Sequence, residues 1–201
     1  MIVKNYLITI QLVCVLCFSI STKSQALESS IKLHKVDQDK SVGFSLSIGD
    51  EFFNEKAFNW QVSYNRLTEV SINDLDDTSE AWAQADFDFT IQTIDFSLAY
   101  RYYPKSYNKI INTLMLEFQL GAAVNLSEHK FIFRPNFDRD DIYFAEQGDV
   151  NPVLAISLQK NFTKKTAINI GIRHYPSYSD FGSISSIFIG FNYRFGRQLG
   201  Y

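Results

Sequence analysis

Cysteine is scarce in this 201-residue sequence: Cys14 and Cys17 are the only two, and both lie near the N-terminus. Without a thiol beyond residue 17, a disulfide scaffold and a cysteine-based metal site are excluded. Histidine is scarce too, and its three copies form no metal-spaced cluster. No glycine-rich phosphate loop and no Gly-x-Ser-x-Gly elbow occurs. The formal charge is −3 and no basic stripe is present, which argues against a nucleic-acid partner. Beyond the N-terminal segment no stretch approaches the roughly 18 apolar residues of a spanning helix. Nothing in the chain calls for a cofactor. What is abundant is aromatic: 18 Phe, 11 Tyr and 2 Trp, in a chain that is 46% hydrophobic. That composition fits a folded protein, and the length fits one domain.

Residues 1–26 read as a secretory signal. Lys4 supplies the positive start, Tyr6 to Ile20 is mostly apolar, and Ser24-Gln25-Ala26 offers small residues for cleavage. A membrane anchor is the alternative, but Thr9, Gln11 and Ser19 interrupt the run, which is shorter than the ~20 residues a span needs. Residues 27–201 are then the folded domain.

That domain alternates with period two. Leu114, Leu116, Phe118, Leu120, Ala122 and Val124 fall on one face, with Met115, Glu117, Gln119, Gly121 and Asn125 on the other. Ile168, Ile170 and Ile172 alternate with Asn169, Gly171 and Arg173, and Ile187, Ile189, Phe191 and Tyr193 with Ser186, Phe188, Gly190 and Asn192. A soluble barrel with an apolar lumen and a membrane barrel with an apolar exterior both produce this pattern. A soluble surface would carry many Lys and Glu, whereas the polar face here is mainly Gly, Ser, Ala, Asn and Gln. Small polar side chains suit a narrow interior, and the near-continuous apolar face suits lipid.

Seven strands stand out, near 42–53, 57–72, 87–103, 112–127, 150–162, 167–178 and 184–195. Even strand number in bacterial single-chain barrels calls for an eighth, and 29–37 is the upstream candidate. The expected fold is therefore all-β, an eight-stranded antiparallel up-and-down transmembrane β-barrel too narrow for a wide pore. One strand changes phase, with Phe87, Phe89 and Ile91 odd and Ile94, Phe96 and Leu98 even, which predicts a β-bulge near Gln92-Thr93 or a strand starting after it. Short turns near 54–56, 104–111 and 163–166 mark the periplasmic pole, and longer loops at 73–86 and 127–149 the extracellular one. Phe52, Phe58, Trp60, Tyr100, Tyr102, Phe162, Tyr193 and Phe195 gather at the short-turn pole, as interfacial rings do.

Four readings concern chemistry. The acidic loops, with Asp74, Asp76, Asp77, Glu80 and Asp86 in one and Asp138, Asp140, Asp141, Glu146 and Asp149 in the other, are either solvated or hold divalent cations against lipopolysaccharide phosphates. Glu117 is expected to pair with Arg173 or Arg194 inside the barrel. His174 faces outward near the extracellular end, either as an interfacial side chain or as a general base acting on outer-leaflet lipid. Gly190-x-x-Tyr193-x-Phe195 resembles the insertion signal of bacterial outer-membrane barrels, which implies handling by periplasmic chaperones and barrel-assembly machinery.

From about Trp60 to Phe195 the layout resembles the lipid A 3-O-deacylase family of outer-membrane barrels. The likeness rests on Leu120-Gly121-Ala122, the long loop, the short hairpin and Arg173-His174-Tyr175 before the last strand. Members carry His-x-Ser-Asn late in the penultimate strand and an acid on the last, forming a Ser-His-Glu esterase site. Here Pro176 stands at the serine position, Ser177 follows it, and Ser185 stands where the acid is expected, with Asp180 the nearest acid. The resemblance implies outer-membrane localisation after signal cleavage and contact with outer-membrane lipids and lipopolysaccharide. It also implies ester hydrolysis on lipid A acyl chains, with His174 as base and Ser177 as nucleophile, and it transfers no acid. The alternative is a non-catalytic small, porin-like barrel with a structural or loop-binding role. A soluble lipid carrier would need an apolar lumen.

Overall fold

The computed structural model describes residues 27–37, 40–52, 55–70, 89–108, 110–131 and 142–195. The expected signal at 1–26, the loop at 73–86 and the acidic residues Asp138, Asp140 and Asp141 lie outside the described residues, as does the side chain of Asp180.

Eight strands close into one antiparallel barrel: β1 (Glu28–Val36), β2 (Val42–Phe52), β3 (Glu55–Val70), β4 (Phe89–Tyr102), β5 (Leu114–Asn125), β8 (Val150–Asn161), β9 (Thr166–Tyr175) and β10 (Ile184–Arg194). A two-stranded ribbon, β6 (His129–Phe131) and β7 (Ile142–Ala145), rises from the β5–β8 connection. Neighbours in sequence are neighbours in the sheet, and β1 meets β10 from Glu28↔Arg194 to Val36↔Ser186 to close the ring. The weakest strand in the sequence, the one owed by parity, is thus the strand that completes the barrel.

Orientation follows the alternation. Ile31, Leu33, Leu98, Leu120, Ile170 and Ile189 face outward, each at least half exposed, while Ser30, Lys32, Gln119, Asn169 and Asn192 are buried inside. An apolar wall around a polar lumen is the reverse of a soluble carrier and is the arrangement a hydrocarbon environment demands, with each strand paired on both sides in the closed sheet. Phe58, Tyr100, Tyr102, Phe162 and Phe195 sit on that outer wall at the short-turn end, and the Phe58 and Tyr100 rings pack 5.4 Å apart.

The interior is filled in tiers. At the short-turn end Arg101 bridges Glu117 (2.5 Å) and Glu28 (3.1 Å), and Glu28 also holds Arg194 at 2.8 Å. Midway, the Lys32 ammonium lies 4.9 Å from the centre of the inward Phe188 ring. That ring stands directly opposite Gly171, where a Cβ would collide with it. Higher, Arg173 meets Asp95 at 3.5 Å and hydrogen-bonds Asn65, while His34 bridges Ser186 (3.1 Å) and Ser45. The expected pairing of Glu117 with Arg173 or Arg194 is therefore corrected. Glu117 takes Arg101, which stands directly across the ladder from it, whereas Arg173 lies toward the opposite end of the barrel beside Asp95.

The predicted bulge at Gln92-Thr93 is also corrected. β3 and β4 pair without a break from Leu67↔Ile91 to Phe58↔Tyr100, and the irregularity falls between Leu67 and Val70, where Glu69 takes a φ of 57°. Ile91 is 1% exposed and points inward like Thr93 and Asp95. The alternation never slips; the interior itself changes from polar to apolar. At the opposite, long-loop mouth Val36, Leu67, Val70, Ile91, Tyr178 and Phe181 belong to one buried apolar cluster that caps the lumen.

Candidate functional site on the outer wall

β9 ends at Tyr175, and its last residues alternate cleanly: Arg173 points in, His174 out, and Tyr175 in, with its hydroxyl donating to Asp95 at 3.1 Å. His174 lies between Leu154 of β8 and Ser185 of β10 in the ladder. Its Nδ1 is 2.8 Å from Ser185 Oγ. The imidazole borders a shallow outer-wall groove of about 580 Å³ lined by Leu98, Leu120, Leu154, Ile156 and Ile172. On the other side of Ser185, a second depression is lined by Lys35, Asp37, Ser186 and Ile187. The outward imidazole thus joins an apolar channel to a small polar rim.

Ser177 lies beyond the end of β9, exposed, after Pro176 has terminated the strand. Among the described residues no hydrogen bond joins it to His174; the hydroxyl that His174 holds is that of Ser185. The position that carries the acid in the deacylase pattern is therefore occupied by a neutral partner that still contacts the ring. A hydroxyl fixes an imidazole's orientation but does not stabilise the imidazolium that base catalysis creates. With Nδ1 engaged, Nε2 remains for a ligand group approaching from the membrane side.

The cap at the mouth escaped sequence reasoning because its residues come from many separate segments of the chain. Phe181 packs edge-on against Phe89 (5.3 Å) and His129 (5.9 Å), and Tyr178 donates its hydroxyl to Asn125 at 2.8 Å. Burial pushes the Tyr178 phenol well above its ordinary value, and burial likewise lowers His129. Asp149 accepts from Ser179 Oγ (2.8 Å) and from the Glu146 N–H (2.9 Å), so this part of the acidic loop serves the backbone. Among the described residues no group of three His, Cys, Asp or Glu is placed to hold a metal ion.

No protein-family model matches the chain, and no curated protein matches it. Solved structures do. Neisserial surface protein A aligns over 85% of this chain and 96% of its own, at 12% identity and a TM-score of 0.54. A de novo designed transmembrane β-barrel aligns over 87% and 98%, at 10% identity and a TM-score of 0.50. Ail of Yersinia pestis, an outer-membrane protein, aligns over 86% and 100% at 16% identity and 0.49. The chain has the fold of the first of these, a small transmembrane barrel: closed, eight-stranded and antiparallel throughout. At such identities the likeness extends to the fold and to no activity.

Proposed function

We propose that this chain is a bacterial outer-membrane barrel, exported behind a signal at residues 1–26 that is then cleaved, and that it works on its lipid-facing side by binding lipid A of the outer leaflet. Periplasmic chaperones and barrel-assembly machinery would handle it on the way. The observation that carries this reading is His174, an outward imidazole near the extracellular end, held by Ser185 between an apolar groove and a polar rim. Imidazole on that face is costly unless it meets a polar group. The headgroup of an outer-leaflet lipid offers phosphate and hydroxyl oxygens at that depth, with acyl chains to fill the groove below. The filled lumen supports a role outside the barrel.

The second reading is ester hydrolysis of a lipid A acyl chain, with His174 as base and Ser177 as nucleophile. It is favoured by the outward imidazole with Nε2 available, and it is weakened by the neutral partner on Nδ1.

One experiment separates the two. Wild type and His174→Ala are expressed in outer membranes, lipid A is weighed by mass spectrometry, and the lipopolysaccharide retained on the purified barrels is quantified. Binding predicts an unchanged lipid A mass and less retained lipopolysaccharide on the variant. Loss of one acyl chain with wild type only would establish hydrolysis, and equal retention without a mass change would refute both.

A further inference from the structure

Ser127 and His129 follow the end of β5 at the extracellular mouth, two residues apart in extended chain and therefore on one side of it. Ser127 Oγ lies 2.9 Å from His129 Nε2. Three neighbours determine what that contact does. Asn125 Oδ1 is the other acceptor near the serine hydroxyl, at 3.3 Å, and it also takes the Tyr178 hydroxyl at 2.8 Å, so the imidazole at 2.9 Å is the nearer of the two acceptors open to the serine proton. The Thr90 main chain beside the ring favours its protonated form. In the tautomer protonated at Nδ1, Nε2 presents a lone pair to Ser127 Oγ at 2.9 Å. The Gln92 N–H points at Ser127 Oγ from 3.3 Å and would stabilise negative charge developing there. The ring itself is wedged between Phe89 (5.2 Å) and Phe181 (5.9 Å), which hold its plane. Both residues are partly exposed, so a substrate can reach them.

We propose that Ser127 and His129 form a nucleophile–base dyad that hydrolyses carboxylic esters at the extracellular rim, a site separate from His174. Ser127 Oγ attacks the ester carbonyl carbon as His129 Nε2 takes its proton. The tetrahedral intermediate collapses, the C–O bond to the alcohol breaks, and that proton leaves with the alcohol. Water then attacks the acyl-serine, giving its proton to Nε2, and the carboxylic acid departs as Ser127 recovers its hydrogen. Gln92 is a positioning residue, acting through its main-chain N–H on Ser127 Oγ. Among the described residues no carboxylate hydrogen-bonds His129, and the Phe89 and Phe181 rings hold the imidazole plane instead.

The test uses the full barrel refolded in detergent and a fluorophosphonate probe, with the adduct mapped by peptide mass spectrometry. Heat-modifiable gel mobility confirms that each variant is folded. The expected result is an adduct on Ser127, absent in Ser127→Ala and formed at least about 100-fold more slowly in His129→Gln, the scale of general-base assistance. Wild type decides alone if His129→Gln fails to fold, by whether the adduct sits on Ser127 and is competed by a short-chain p-nitrophenyl ester. No adduct on the folded wild type, or equal labelling of His129→Gln, would overturn the proposal. An adduct on Ser177 instead would also overturn it and would revive hydrolysis at His174.

Discussion

Glu28 on the first strand holds Arg194 on the last at 2.8 Å, directly across the seam where the barrel closes. The same carboxylate reaches Arg101 on the far wall at 3.1 Å. Removing one member of a buried ion pair leaves an uncompensated charge, at a cost of about 3–5 kcal/mol. Arg101 would keep Glu117, so Arg194 carries most of the loss. Glu28→Gln is expected to lower the stability of the folded barrel by that amount in urea titrations followed by heat-modifiable mobility. Replacing Arg194 by Met in the same chain should recover much of it. A Glu28→Gln barrel as stable as wild type would mean that the seam is held by the ladder alone.

Ile170 tests which way the barrel faces. It lies midway along β9 and is 53% exposed. An arginine near the midplane of a bilayer costs about 2–4 kcal/mol on a lipid-facing strand. On a water-facing surface the same change stays within about 0.5 kcal/mol. Ile170→Arg is expected to show the larger cost when the barrel is folded into lipid vesicles. Near-neutrality there would contradict the membrane reading.

The sequence disclosed the wall better than the mouth, and the reason is physical. Leu120, Ile170 and Ile189 repeat every second residue against one uniform solvent, so local periodicity names their face. Ile91 keeps the same inward parity as Asp95 while changing from polar to apolar, because it enters the cap rather than the lumen. A pattern read along one strand cannot distinguish a change of surroundings from a slip of register. Ion-pair choice was illegible for a related cause: Glu117 meets Arg101 through the β4–β5 register, and pairing across strands is absent from any single segment. At the outer site, alternation was enough to aim His174 outward, whereas its partner Ser185 is set by the β9–β10 register and the end of β9 at Tyr175 sets Ser177 apart. Ser127 and His129 share a face by the same rule, but only the neighbouring Thr90, Gln92 and Asn125 give that pairing chemical meaning.

The cap should respond to pH at both extremes. Burial lowers His129 from its ordinary 6.5, so the folded state binds a proton less readily than the open state does. Its contribution to cap stability is present above pH 6.5 and is lost as the pH falls through the range below. Tyr178 is shifted the other way, raised by burial from 10.0. Its contribution is present below pH 10 and is lost as the pH rises beyond that value. Protection of the 176–183 amides, taken as the exchange rate relative to the intrinsic rate at each pH, is expected to be greatest near neutrality and to fall toward pH 5 and above pH 10, with protection in β5 unchanged. A flat profile between pH 5 and 8 would exclude His129 as a determinant of the closed mouth.

Two seals lie in series along the axis, and they can be told apart. Phe181 closes the mouth with Phe89 and Tyr178, and truncating a buried Phe to Ala costs about 3–5 kcal/mol of packing. Beneath it, Arg173 with Asp95 and Arg101 with Glu117 span the lumen in side-chain tiers that an eight-stranded cylinder has no spare width to bypass. In planar bilayers the wild type is therefore expected to show no discrete conductance steps. Phe181→Ala should loosen the cap, seen as faster proteolysis of the 176–183 segment, and should still pass no current, because the ion-paired tiers remain. Steps in Phe181→Ala alone would show that the cap is the sole barrier and that the tiers below admit ions. Steps in wild type would mean that neither closes the barrel.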